Sequence, residues 1–345
     1  MFGNRLKIIL RARVFASVKA RAARIFRRAK DCLTIPRRFG KIRPRKKTFA
    51  IFALAAAALP LFGSEKVKMK IASFNIGFCR MASDIPVWEG RRDHIMPLVE
   101  WHGFDIVGMQ EPFSFQIDYL LKSSGEYAVA GEIERDLSYA DIPSFSPRGR
   151  ENVDRMCRNM NNPIFYKRAR FELLDSGKFY FSDTPDRAER GFGGGFDAIR
   201  SCVWAKFRAK KSGREFFFFN LHLCVGKFIE QHKPAAELLV KKVREIAGES
   251  TFFITGDFNE EKGGPAYKVI AASGIAKDAR EAAESVCGSR KCTFNGYTLL
   301  PKKGSPIDFI YVSPSVEVLR FATIQEHVDE TPISDHFPIA AVVRF

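Results

Sequence analysis

With 345 residues, 46% of them hydrophobic and 33 of them Phe, the chain is long enough to bury a large core and too apolar to be a disordered protein. Its formal net charge of +17 suggests a polyanionic partner, yet residues 1–47 carry 17 Lys/Arg against one acid, Asp31, leaving +1 from Thr48 onward. A nonspecific grip on long nucleic acid needs a basic footprint on the folded domain, and the near-neutral remainder disfavours one.

In chain order, the first segment is the basic extension 1–47. Leu10, Val14, Val18, Ala22, Ile25 and Phe26 recur there at roughly helical spacing among arginines, a pattern suited to an anionic membrane surface. A solvated basic tail or a start codon assigned too far upstream explains it equally well. Segment 48–65 follows, with an uncharged run from Phe49 to Phe62. That run fits the apolar region of a signal peptide and is short for a membrane span of about 20 residues. The expectation is export to the periplasm or medium, or membrane anchoring through this segment; a misassigned N-terminus would instead leave the chain cytoplasmic.

From residue 66 to 345 short apolar runs alternate with helical patterns and no linker intervenes, so this stretch reads as one catalytic domain. Strands are expected at Met69–Ile76, Asp105–Gln110, Ile164–Tyr166, Phe171–Phe181, Cys202–Arg208, Glu215–Leu221, Thr251–Thr255, Ile307–Val312, Val316–Thr323 and Ile339–Phe345. Helices are expected at Arg91–His102, Ser114–Lys122, Lys233–Ala247 and Pro265–Ser273. The unalternating run Phe216 to Phe219 predicts a strand buried on both faces. Many strands with few helices imply an α+β fold of two packed sheets flanked by helices. The polar stretch Gly131 to Asn161, with Pro143, Pro147 and Gly149, reads as a long loop. The seven cysteines form no CxxC pair and have no zinc-ligand spacing.

Polar and ionisable residues cluster where the apolar strands end: Ser73-Phe-Asn75, Gln110-Glu111, Asn220-Leu-His222, Gly256-Asp257-Phe-Asn259, Ile307-Asp308 and Ser334-Asp335-His336. A hard cation such as Mg²⁺ needs oxygen ligands and keeps several waters, so Glu111 and Asn75 suit it. His336, with Asp335 beside it and Asp308 elsewhere, offers an imidazole whose charge a carboxylate can set. Asp257 and Asn259 share one side of an extended segment and can grip one water. Taken singly, each has an ordinary explanation as a surface acid or a hydrogen-bonded strand-end histidine.

Together and in this order, the six segments resemble the endonuclease/exonuclease/phosphatase superfamily, which includes deoxyribonuclease I, apurinic endonucleases, deadenylases, neutral sphingomyelinases and inositol polyphosphate phosphatases. The resemblance runs from Met69 to Phe345 and rests most on Gly256-Asp257-Phe258-Asn259 and Ser334-Asp335-His336-Phe337-Pro338. It implies a four-layer α/β/β/α sandwich of two mixed sheets and a Mg²⁺-dependent phosphoesterase, with Mn²⁺ as a substitute. It further implies that Asn75 and Glu111 bind the metal, with Asp335 as a supporting or second-metal carboxylate. His222 would donate to the phosphate, Asp257 and Asn259 would align the water, and Asp308 would orient His336 as general acid–base. Whether Asp257 or the His336–Asp308 pair takes the water's proton stays open.

The stretches Asn162 to Lys167 and Phe171 to Pro185 look like a bacterial branch that includes sugar-phosphate phosphatases. That branch commonly carries Leu-Asp-His after the position of His222, where this chain has Leu223-Cys224-Val225, a departure that bears on what supports His222. The expected substrate is a small phosphorylated molecule or a lipid head group, with DNA or RNA as the alternative. Arg150, Arg155 and Asn162 are the candidate substrate contacts, and Arg148 and Arg158 share their loop; ordinary solvated loop charge is the competing reading for the arginines.

Overall fold

The computed structural model describes residues 65–79, 88–141, 150–194, 199–288, 292–299 and 304–345. The readings of the basic extension and of the apolar run before residue 65 lie outside them. In chain order the elements are β1 (Lys68–Asn75), α1 (Trp88–Trp101), β2 (Ile106–Gln110), α2 (Ser114–Ser123), β3 (Tyr127–Ala130), α3 (Arg150–Asn159), β4 (Ile164–Lys167), β5 (Phe171–Tyr180), β6 (Ser201–Ala209), β7 (Glu215–His222), α4 (His232–Ala247), β8 (Phe252–Asp257), α5 (Pro265–Ser273), β9 (Lys277–Asp278), α6 (Ala279–Ala282), β10 (Val286–Cys287), β11 (Asp308–Val312), β12 (Glu317–Thr323), β13 (His327–Val328), β14 (Thr331–Pro332) and β15 (Ile339–Arg344).

One sheet has the order β10-β12-β15-β1-β2-β4-β3 and the other β5-β6-β7-β8-β11-β9, with β13 and β14 as a separate pair. Both main sheets are mixed: β1 runs parallel to β2 and antiparallel to β15, and β7 runs parallel to β8 and antiparallel to β6. Between the sheets lies one apolar layer containing Ile71, Ile106, Phe207, Phe216, Phe218 and Phe253. A second, with Phe74, Ile95, Val99 and Ile117, packs α1 and α2 on the outside of the first sheet. A third, with Phe219, Leu239, Phe252 and Ile270, packs α4 and α5 on the outside of the other. The result is the expected four-layer α+β sandwich. β7 is buried on both faces as its pattern predicts: Phe216 and Phe218 enter the layer between the sheets, and Phe217 and Phe219 the layer under the helices.

All ten expected strands and four expected helices form. The stretch 131–161 departs from the reading, because α3 occupies part of the predicted loop. Its few apolar residues, Val153, Met156 and Cys157, fall at helical spacing within a strongly polar segment, and Met156 packs, partly buried, against the first outer layer. Strand β3 was also not foreseen; it is only four residues long and edges the first sheet beside β4.

A polar junction crosses the otherwise apolar space between the sheets. Asn220 of β7 donates from Nδ2 to the carbonyls of Met109 (2.7 Å) and Pro163 (3.2 Å). Its Oδ1 accepts from Gln110 Nε2 (2.6 Å) of the facing sheet and from Thr255 Oγ1 (3.0 Å) of β8. Gln110 Nε2 also meets Ser73 Oγ at 3.1 Å. Gly108 makes room for this junction: a Cβ there would stand 2.2 Å from Thr255 Oγ1 and 2.3 Å from Asn220 Oδ1. Asn220 is fully buried, so truncating it strands several polar groups without water. Asn220→Ala is therefore expected to destabilise the domain by about 2–4 kcal/mol. Denaturant unfolding with an unchanged m-value is the check, and a loss below about 1 kcal/mol would contradict the junction's role.

Candidate active site

Strand register alone assembles most of the site. His222 lies beside Asp257 across the β7–β8 pair, and Asp257 lies beside Asp308 across β8–β11. On the other sheet Asn75 pairs with Gln110, and Glu111 is the next residue. Residues two apart on a strand share a face, so Ser73, Asn220 and Thr255 of the junction sit one step beneath Asn75, His222 and Asp257. Asp335 and His336 arrive from the turn before β15.

The structure thus brings together all eight residues expected to carry the chemistry. Asn75 bridges the two sheets, donating from Nδ2 to Asp257 Oδ2 (3.0 Å) and to Glu111 Oε1 (3.2 Å). Its Oδ1 accepts from Gly77 N at 2.9 Å. Asp257 Oδ1 accepts from the Asn259 backbone N–H at 2.8 Å. Asp257 Oδ2 lies 3.4 Å from His222 Nε2 and 3.6 Å from His336 Nε2. His336 Nδ1 is 2.9 Å from Asp308 Oδ2, and Phe294 packs edge-on against the imidazole at 5.1 Å. Asn259 Nδ2 reaches His222 Nε2 at 3.0 Å. An amide NH₂ can only donate, so this contact makes His222 Nε2 an acceptor and places the ring proton on Nδ1. His222 therefore accepts in this bond, unlike the donor role implied for it toward phosphate.

Burial and neighbouring charge split the titrating groups. Burial, then Arg200 and His336, hold the His222 imidazole well below its ordinary value, which keeps it neutral. Burial also pulls on His336, but Asp308, Asp257 and Asp335 together outweigh it and raise that imidazole well above the usual range. Burial and the neighbouring Asp308 carboxylate push Asp257 up to about 7. Burial and Asp335 raise Glu111, against the pull of His336, Asn75 and Arg200. One imidazole is kept neutral and the other charged within a few ångströms, the separation that assigns acid and base roles.

The chemistry of the donor set discriminates between two places for a cation. Ligand atoms of Asp257, Asp308 and His336 lie within 4.8 Å of one another, but this group includes a nitrogen, and Asp308 and His336 already bond to each other. Glu111 and Asp335 are oxygen donors whose mutual repulsion a hard cation relieves. They fit Mg²⁺ or Mn²⁺. Asn75 fits as a third donor only if its amide oxygen turns from Gly77, since its NH₂ now faces the carboxylates.

Support comes from residues the sequence did not single out. Arg91 of α1, only 2% exposed, donates to the carbonyls of Ile76, Gly77 (2.9 Å), Phe78 (2.8 Å) and Ile333 (3.5 Å), fixing the chain after Asn75 and before Asp335. Gly77 has φ +72°, and a Cβ on it would meet Asp335 Oδ1 at 2.6 Å, so a side chain there would strain the backbone and displace Asp335. The chain after His222 is held without the Leu-Asp-His run. Leu223 N donates to Asp257 O, Asn259 Nδ2 donates to Leu223 O, and buried His232 Nε2 donates to Cys224 O at 2.9 Å. His232 Nδ1 in turn contacts Glu260 (2.9 Å), whose carboxylate accepts the N–H groups of Ala266 and Tyr267 at the start of α5. Among the described residues, four non-glycines have positive φ, and three of them, Glu111, Asn259 and Tyr297, are at or beside the site. Such backbone costs on the order of 1 kcal/mol per residue and persists where the surroundings dictate it.

The expected substrate contacts fare differently. Asn162 is buried, with Nδ2 on Ser201 O (3.0 Å) and Ser201 Oγ (3.2 Å). Arg155 is exposed on α3 and donates to the Asp136 carbonyl at 2.7 Å, holding its own segment in place. Arg150 opens α3, and its side chain, like the whole of Arg148, lies outside the described residues. Arg200, which the sequence did not single out, brings its charge to bear on Glu111 and His222 from just before β6.

A two-sheet sandwich carrying a carboxylate–imidazole cluster at matched strand ends is the architecture of a phosphate-ester hydrolase. Residues 72–336 match the Endonuclease/Exonuclease/phosphatase family, and the chain belongs to that family, whose members hydrolyse phosphate esters. The mannosyl-6-phosphatase of Bacteroides thetaiotaomicron is similar at 28% identity and a TM-score of 0.67, over 80% of this chain and 100% of that one. An endonuclease/exonuclease/phosphatase from Bacteroides vulgatus is similar at 31% identity and a TM-score of 0.69, over 80% and 98%. The CCR4-Not complex 3'-5'-exoribonuclease subunit Ccr4 of Emericella nidulans is 26% identical over 243 residues, which span 55% of this chain and 34% of that protein.

The His232–Glu260 contact predicts a cost when it is broken. Glu260→Ala leaves two helix N–H groups and a buried imidazole without their acceptor, and is expected to destabilise by about 2–4 kcal/mol. Glu260→Gln, which keeps an acceptor oxygen, should cost less. Thermal unfolding of both variants checks this, and equal losses would refute it.

Proposed function

We propose that this protein is a phosphatase of small phosphorylated molecules, with a sugar phosphate as the leading class, and that it depends on Mg²⁺ or Mn²⁺. The carrying observation is the buried line Asp308–His336–Asp257, a hydrogen bond from His336 to Asp308 and an ion pair at 3.6 Å from His336 to Asp257, which Asn75 links to Glu111 from the facing sheet. The similarity to a mannosyl-6-phosphatase over the whole of that chain, and the near-neutral charge from Thr48 onward, favour a small substrate over a nucleic-acid chain.

In this reading Glu111 and Asp335, with Asn75 joining through its amide oxygen, would hold the cation, whose chemistry there would be to offset phosphoryl charge. The chain's own groups do the rest. Asp257, raised to about 7, is able to take a proton from water near neutral pH. His336, kept charged by Asp308 and Asp257, holds a proton toward the same place and offsets negative charge. Neutral His222 and the Leu223 carbonyl hold the Asn259 amide in place beside Asp257. The Ccr4 similarity favours a second reading, a nuclease.

The deciding assay is hydrolysis of p-nitrophenyl phosphate mono- and diesters, hexose phosphates, sphingomyelin and single- and double-stranded nucleic acids, with Mg²⁺, Mn²⁺ or EDTA. Turnover is expected on the small monoesters, to vanish in EDTA, and to fall by about a thousandfold or more in Asp257→Ala and in His336→Ala. Unchanged turnover in both variants would sink the proposal. Preference for nucleic acid with a steep loss on added salt would establish the second reading instead.

A further inference from the structure

Arg200 immediately precedes β6, at the end of the sheet where β7 delivers His222, because Cys202 pairs with Leu221. It is half-buried. Its Nε is sealed from solvent and has no hydrogen-bond partner, and among the described residues no carboxylate pairs with its guanidinium. Its charge nevertheless reaches the site, lowering both Glu111 and His222. Beside it, Ser201 is gripped by Asn162, which is only 4% exposed and whose Oδ1 also lacks a partner. Of these two unpaired atoms, the Arg200 Nε is the donor, and so the one that an anion's oxygen can satisfy. Buried polar atoms are nearly always paired, and a guanidinium N–H shut off from water without an acceptor is costly.

We propose that the missing partner arrives with the substrate: Arg200 clamps two non-bridging oxygens of the phosphate and makes the site selective for dianionic monoesters over monoanionic diesters. This rests on the phosphoesterase reading above. A guanidinium's planar fork matches two phosphate oxygens at once, a fit that a lysine cannot reproduce. Selectivity follows from charge. A monoester carries about −1.5 to −2 near pH 7, as phosphorylated side chains do. A diester carries one charge fewer. The site is lined with Glu111, Asp257, Asp308 and Asp335, so the extra charge of a monoester needs a fixed positive group beyond His336 and the divalent cation of that reading.

The test compares wild type, Arg200→Lys and Arg200→Met in Mg²⁺, using kcat/KM for p-nitrophenyl phosphate and for bis-p-nitrophenyl phosphate. Calorimetric titration with inorganic phosphate, with and without Mg²⁺, gives a readout independent of turnover. Arg200→Met is expected to lose about a hundredfold or more on the monoester but under about tenfold on the diester, and to bind phosphate at least about tenfold more weakly. Arg200→Lys should fall between, and melting temperatures should stay near wild type. Equal losses on the two esters, or phosphate binding unaltered in Arg200→Met, would overturn the proposal. If wild type hydrolyses neither ester yet binds phosphate through Arg200, the clamp stands and the phosphatase reading falls.

Discussion

The Asn220 side chain makes hydrogen bonds to both sheets, and the geometry of the site depends on that joint. Apolar side chains hold the sheets together over most of their area, but dispersion contacts leave small sliding motions inexpensive. Directional hydrogen bonds to Gln110, Thr255 and the carbonyls of Met109 and Pro163 do not. The catalytic groups of both sheets stand one residue step above this joint, so a shift of register between the sheets would pull Asn75 from Asp257. Gly108 lets the joint form, since any side chain there would occupy the same space.

Above that joint, charge rather than packing decides behaviour. Asp257 has a histidine on either side and Asp308 beside it, and its proton affinity rises because burial and Asp308 outweigh the help it receives. His336 gains the charge that His222 is denied, though both rings are buried to the same degree. Their difference is position: His336 has a carboxylate at each nitrogen, Asp308 and Asp257, whereas His222 Nε2 meets the Asn259 amide as well as Asp257, and the Arg200 charge opposes its protonation. Two identical side chains thereby acquire opposite protonation states from their neighbours alone.

Much of this was legible in the sequence. Apolar strands interrupted at their ends by Asn75, Glu111, His222, Asp257, Asp308 and His336 marked the site, because a strand spends polar residues in its interior only for a reason. The same logic reaches Ser73, Asn220 and Thr255, each two residues before a site residue, and would have exposed the junction. What stayed hidden depends on chain segments meeting at a distance. Arg91 lies in a helix whose sequence gives no sign that it ends among the carbonyls after β1. His232 and Glu260 read as ordinary surface residues until α4 and α5 are packed together. α3 was hidden for another reason, since its polar composition resembles the loop around it.

Glu111 and Asn259 occupy backbone conformations in which glycine is at ease and most other residues are not. A glycine at either place would relax the main chain and remove a functional side chain in the same step. Stability and chemistry therefore pull these two positions in opposite directions. Laboratory evolution of this enzyme toward heat tolerance, if activity went unscreened, would erode the site from these two positions first and leave the fold untouched.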